Sequence, residues 1–152
     1  MNGPTPVDHA RIEALIPHAG RMCLLYQALD WDEAGIRCSA LSHLAEDNPL
    51  RNGGMLGILA GIEYGAQAMA VHGALLAESQ GERLPPGYLA AVRDVVMHAE
   101  RLDDVPGMLQ VEARRLMGQG GLLMYAVRIG TEAGTPLLEG RLTVAERGGA
   151  QT

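Results

Sequence analysis

Apolar residues come in runs up to about residue 80 and alternate with polar ones beyond it. Asp8 can cap a short helix through Leu15, which Pro17 ends. Met22 to Trp31 is rich in apolar residues and reads as a strand. Asp32-Glu33-Ala34-Gly35 supplies a turn, with Gly where a positive φ would be easy, and Ile36 to Leu44 reads as the returning strand. Ala45 to Gly54 is polar and carries Gly, Pro and Asn, so it reads as a loop. Met55 to Gln80 is one long helical stretch, and Gly81 to Gly87, with two prolines, a second loop. Period-two alternation then predicts strands at Tyr88 to Met97, Leu109 to Leu116, Leu122 to Thr131 and Leu137 to Glu146, punctuated by glycine turns. Residues 1–7 and 147–152 are expected to fray. No repeat or linker divides residues 1–152, so the pattern predicts one α+β domain: a long helix packed on one antiparallel sheet.

That helix needs explaining. Between Arg51 and Glu78 only Glu63 carries a formal charge, and Met55 to Ala77 is about as long as a membrane span. Glu63, Gln67 and His72 would each be costly in lipid, and amphipathic strands are available to cover the helix, so it reads as buried in protein. Gly57, Gly61, Gly65 and Gly73, with six alanines between residues 60 and 77, leave little side-chain bulk. Each internal Gly costs a helix about 1 kcal/mol relative to Ala, so a packing reason is expected. A sheet curved closely round the helix would supply it.

Composition narrows the function classes. A net charge of -6 and a pI near 5.3 argue against nonspecific nucleic-acid binding. Lys and Phe are absent, so every basic side chain is Arg. Cys23 and Cys38 lie in no Cys/His ligand spacing, which indicates neither a structural zinc site nor a disulfide framework, and points to reduced thiols and a cytoplasmic location. Met1 to Val7 does not read as a signal peptide. No H-E-x-x-H or G-x-S-x-G motif is present.

Three motifs in order carry a family resemblance. Ile16-Pro17-His18-Ala19-Gly20-Arg21-Met22-Cys23-Leu24-Leu25 resembles the opening of the 3-hydroxyacyl-ACP dehydratases. Gly61-Ile62-Glu63-Tyr64-Gly65-Ala66-Gln67-Ala68-Met69-Ala70 is similar to their helix motif. Tyr88-Leu89-Ala90-Ala91-Val92-Arg93-Asp94-Val95 and Val105-Pro106-Gly107-Met108-Leu109 look like their third strand and Pro-Gly turn. Asn48-Pro49-Leu50-Arg51 together with Gly61-Ile62-Glu63-Tyr64 and Ala70-Val71-His72-Gly73 most resembles the aryl-polyene-pathway branch. The resemblance implies a hotdog fold and dehydration of 3-hydroxyacyl thioesters to 2-enoyl thioesters in fatty-acid or polyene synthesis. The substrate would ride on the phosphopantetheine of an acyl carrier protein or of CoA, with no metal or redox cofactor. It also implies a homodimer or heterodimer whose histidine and carboxylate come from opposite protomers.

The sequence departs from the family at one place. The family base, a His fourteen residues before the helix carboxylate, is replaced by Pro49. His43, six residues earlier, is the nearest substitute. In that scheme His43 takes the C2 proton, and Glu63, held protonated by burial, releases the C3 hydroxyl as water. Gln67, one turn on, would orient Glu63 or a water. Gly57 would open the helix N-terminus to the thioester carbonyl. His18 and Asn48 are further candidate substrate contacts, His18 first as a brace for its turn. His72 reads as a satisfied helix histidine, and His9 and His98 carry no signal. Arg21, Arg51 and Arg93 are either phosphate and carrier-protein contacts or solvated surface charges. Two other functions stay open: an acyl-thioester hydrolase in which Glu63 activates water, and a catalytically silent partner completing a heterodimeric dehydratase.

Overall fold

The computed structural model describes residues 6–16 and 20–146. Helix α1 (His9–Leu15) begins where Asp8 accepts a hydrogen bond from the Arg11 N–H at 3.0 Å. Strands β1 (Gln27–Trp31) and β2 (Gly35–Ala40) form a hairpin, followed by the long helix α2 (Gly61–Ser79). Strands β3 (Gly87–Met97), β4 (Leu109–Gln119), β5 (Leu122–Thr131) and β6 (Pro136–Glu146) complete the chain. All six strands join one antiparallel sheet in the order β1-β2-β4-β5-β6-β3. Tyr64, Ala68, Val71 and Leu75 of α2 share the core with Val111, Tyr125, Val127, Ile129 and Leu142 of the sheet. Among the described residues no helix is long and apolar enough to cross a membrane.

The glycines of α2 have the packing reason expected of them. A Cβ on Gly61 would lie 2.6 Å from Leu138 Cδ2, and one on Gly65 would lie 3.0 Å from Val127 Cβ. Small residues thus let α2 sink onto β5 and β6. Gly57 differs: it lies before α2, has φ -65, and a Cβ there would meet nothing within 4 Å. Gly35 serves close approach rather than a positive φ, since a Cβ would sit 2.5 Å from the Ala113 carbonyl oxygen.

Several boundaries move, each because the backbone finds a different partner. Met22 to Leu25 is not strand: Cys23, Leu24 and Leu25 are apolar because they are buried, and Gln67 takes the backbone of Met22 and Leu24. Strand β2 ends at Ala40, so His43 lies in a 3-10 turn, Ser42–Leu44. Residues 55–60 do not extend α2. Ile58 N donates to Glu100 O at 3.0 Å and Leu102 N to Leu56 O at 2.8 Å, a short bridge that leads into the 3-10 turn Ile58–Ala60. Val7, expected to fray, exchanges two 2.8 Å backbone bonds with Ala28. The other residues expected to fray, apart from Pro6, lie outside the described residues.

Candidate active site

Glu63 stands in the first turn of α2, where a carboxylate complements the helix dipole. The enclosure that the sequence predicts for it is not found in this protomer. Gly61, Tyr64, Gly65 and Ala68 turn inward, whereas Glu63 is exposed on the one open stripe of the helix, with Leu59 (57% exposed) before it and half-buried Ala66 and Ala70 after it. Among the described residues no hydrogen bond or ion pair engages its carboxylate.

Behind Glu63 the next side chain, Tyr64, anchors a buried polar chain of fixed direction. Ser42 Oγ donates its single proton to Leu24 O at 2.8 Å, so the Tyr64 hydroxyl, 2.8 Å away, donates to Ser42. Asn48 Nδ2 in turn donates to Tyr64 at 3.1 Å. Burial, only partly offset by Ser42 and Asn48, raises the Tyr64 pKa. Asn48 therefore does not serve as the expected substrate contact in this protomer. Both Nδ2 hydrogens are used, on Tyr64 and on Ser42 O (2.8 Å), and Oδ1 accepts from Leu50 N (2.8 Å).

The loop carrying Asn48 is closed by Arg51. Its guanidinium donates to Ala45 O (2.9 Å), Gly54 O (2.9 Å) and His43 O (3.1 Å), three carbonyls of one loop. This commitment leaves little of Arg51 for a phosphate. Arg21 reaches Asp47 O at 3.0 Å along an open depression of about 550 Å³ that Asn48 and Arg51 also line.

His43, the candidate base, is fully buried. A carbonyl can only accept, so Nε2 carries the proton donated to Val105 O at 3.0 Å, and Nδ1 is a bare acceptor with no partner among the described residues. Desolvation lowers its pKa, with the backbone at Val105 and Gly107 acting against that, so the ring is neutral near pH 7. Its basic nitrogen is thus sealed from any substrate in this protomer. The expectation that a rearranged loop presents His43 to a thioester is not met, because the 3-10 turn points the ring into the core.

Gln67 is buried too, and both ends of its amide are occupied. Oε1 accepts from Leu24 N at 2.9 Å and Nε2 donates to Met22 O at 2.7 Å, so it braces the lead into β1 instead of orienting Glu63. His72 is a satisfied helix histidine, as read from the sequence. Nε2 donates to Asp32 O (2.7 Å), so Nδ1 accepts from the Tyr125 hydroxyl (2.6 Å). His18 lies outside the described residues. Sequence reasoning missed Asp103, which accepts from Leu56 N at 2.9 Å and from Arg101 at 2.6 and 3.1 Å, pinning the segment that leads to Gly57. The Arg101 guanidinium holds the Asp103 carboxyl well below the usual carboxylate range. Its sequence signal was an acidic pair just before the Pro106-Gly107 turn.

The family model for the ApeP dehydratase, ApeP-like, matches residues 10–152. The chain belongs to the ApeP-like dehydratase family. The dehydratase is similar to the dehydratase heterocomplex ApeI:P from Xenorhabdus doucetiae, with 22% identity, 91% of each chain covered and a TM-score of 0.79. A mutant thioesterase from Pseudomonas aeruginosa is also similar, at 15% identity over 91% of this chain and 92% of that one, with a TM-score of 0.58. So is a thioesterase protein with coenzyme A from Streptococcus pneumoniae, at 12% identity over 80% and 84%, with a TM-score of 0.54. None of the curated proteins matches. The solved structures share the hotdog fold, and the family makes this chain a hotdog dehydratase. Within the dehydratase, Glu63 is the one candidate catalytic side chain left open, while His43, Asn48 and Gln67 form the buried frame behind it.

Proposed function

We propose that this dehydratase removes water from 3-hydroxyacyl thioesters carried on phosphopantetheine, with Glu63 as general acid and the base supplied by a related hotdog subunit. The observation that carries this reading is the contrast between an exposed, unengaged Glu63 and a sealed His43. In the reaction a base takes the C2 proton made acidic by the thioester, and Glu63, protonated once substrate and partner subunit cover it, gives its proton to the departing C3 hydroxyl. Open space beside Gly57 would let a thioester carbonyl approach the backbone there. Two further features support a heterodimer. Strand β3 is a sheet edge paired only with β6, and it exposes Leu89, Val92, Val96 and Met97. The similar ApeI:P structure is itself a heterocomplex. A polyene pathway is the setting favoured by the family, and two free, buried thiols are consistent with a cytoplasmic one.

The test uses the chain alone and with a co-expressed hotdog partner, on 3-hydroxyacyl and plain acyl thioesters. Enoyl product that needs the partner and falls about 10²–10⁴-fold in Glu63→Gln is the expected result. Free thiol without enoyl product would instead indicate a hydrolase. Full activity of Glu63→Gln in the complex would make this chain a silent partner and overturn the assignment of Glu63.

A further inference from the structure

The side chains of His9, Glu13 and Cys23 converge away from every role described so far. We propose that they form a binding site for a divalent cation of the zinc class, which ties α1 to the segment leading into β1. His9 and Glu13 lie four residues apart on one face of α1, with His9 Nε2 3.8 Å from Glu13 Oε2. Cys23 enters from the turn after α1, and one ligand atom from each of the three residues lies within 4.8 Å of the others.

The hydrogen bonds around the cluster leave its ligand atoms available. His9 Nδ1 is 2.8 Å from Leu25 O, and a carbonyl only accepts, so the proton of the neutral ring sits on Nδ1. That leaves a lone pair on Nε2, facing a carboxylate. A protonated His9 pairs with Glu13 across this gap, and a metal ion can take the place of that proton. A backbone carbonyl on the far nitrogen of a metal-bound imidazole is also the usual outer partner that sets its tautomer. Gly20 N donates at 2.8 Å to Glu13 Oε2, the same oxygen that faces His9; this fixes the carboxylate, and Oε2 keeps a second lone pair while Oε1 has no partner among the described residues.

The donor set selects the ion. Imidazole, carboxylate and thiolate together suit zinc, whereas magnesium and calcium prefer oxygen alone. Three protein ligands leave a fourth position for water. The His9 and Glu13 side chains are 43% and 33% exposed, which provides an entry path, while Cys23 is 4% exposed. Burial and the nearby Glu13 raise the Cys23 thiol pKa, so the free thiol holds its proton. Binding then forms the metal–sulfur bond and releases that proton to solvent, with no change of oxidation state. The site was invisible as spacing because Cys23 lies outside the helix that carries His9 and Glu13. Cys23 also sits between Met22 and Leu24, the two residues gripped by Gln67, so the ion would brace a segment that α2 already holds.

The experiment titrates the purified, metal-free full chain with Zn²⁺ and, as a spectroscopic probe, Co²⁺. The expected result is one ion per chain, release of a proton, and a thiolate-to-cobalt absorption band. Cys23→Ser should abolish the band and weaken Zn²⁺ binding at least ~10-fold, as should His9→Ala, with Cys38→Ser unchanged, because losing even a hydrogen-bond partner behind a metal ligand reaches that size. In the parent chain, needing no variant, Zn²⁺ should slow alkylation of Cys23. A parent chain without the cobalt band, a band that survives in Cys23→Ser, or alkylation indifferent to Zn²⁺ would each overturn the proposal.

Discussion

Gly65→Ala and Gly73→Ala are the same chemical change on one helix, yet the structure makes them opposite in sign. A Cβ on Gly65 would meet Val127 Cβ and Cγ2 at 3.0 Å and Cγ1 at 3.1 Å. Val127 is buried and paired with Ala113 on one side and Gly140 on the other. Because its own Cβ makes the contact, no rotation about χ1 relieves it, and α2 must lift off the sheet. Such overpacking costs about 1–3 kcal/mol. The better helix propensity of Ala returns up to about 1 kcal/mol, so the net loss is about 1 kcal/mol, within a range of about 0–2. At Gly73 the new methyl would meet only the tip of Leu84, at 3.1 and 3.2 Å, and a leucine in a loop can swing away. Gly73→Ala is therefore expected to stabilise by about 0.4–1 kcal/mol, partly through the unfolded chain. Urea unfolding of both variants at equal m-values measures the difference directly. A Gly65→Ala variant as stable as Gly73→Ala would show that close packing is not what the helix glycines serve. Because Gly65 is two residues from Glu63, the complex carrying Gly65→Ala should also lose dehydration rate, and the one carrying Gly73→Ala should keep it.

The remaining predictions concern the buried frame. His43 and His72 are enclosed, and desolvation holds both below the ordinary histidine value of 6.5, so the unfolded chain binds more protons as pH falls. Stability should be full above pH 6.5 and fall with acidification through that value towards the folded-state values, by up to about 1.4 kcal/mol per pH unit for each histidine. Urea unfolding between about pH 7.5 and 5.5 reads this, and a flat profile would refute it. Tyr64→Phe leaves Asn48 short of an acceptor and Ser42 short of a donor, and should cost about 1–3 kcal/mol in the same unfolding assay. Arg51→Lys cannot span three carbonyls with one ammonium, so protease cleavage between residues 45 and 54 should quicken while the global unfolding midpoint moves less.

Much of the architecture was legible because it is local. The Asp8 cap, the four alternating strands after residue 87 and the small-residue helix each rest on residues close in sequence, and each recurs in the structure. The family was legible too, since its motifs are short and come in order. What failed were inferences about surroundings. The apolar run Met22 to Leu25 reads the same whether it pairs in a sheet or is buried and held by a distant Gln67.

Residue types at short spacing thus set the helix and strand periods and the packing of one helix on one sheet, and three short motifs carried the resemblance to a dehydratase family that the family match bears out. Only tertiary structure decided which polar groups face solvent. The same apolar helix could have enclosed Glu63, and the turn after β2 could have presented His43; long-range packing opened the first and sealed the second. It likewise brought His9, Glu13 and Cys23 together. Burial and convergence depend on contacts between elements far apart in the chain, and no local pattern encodes them.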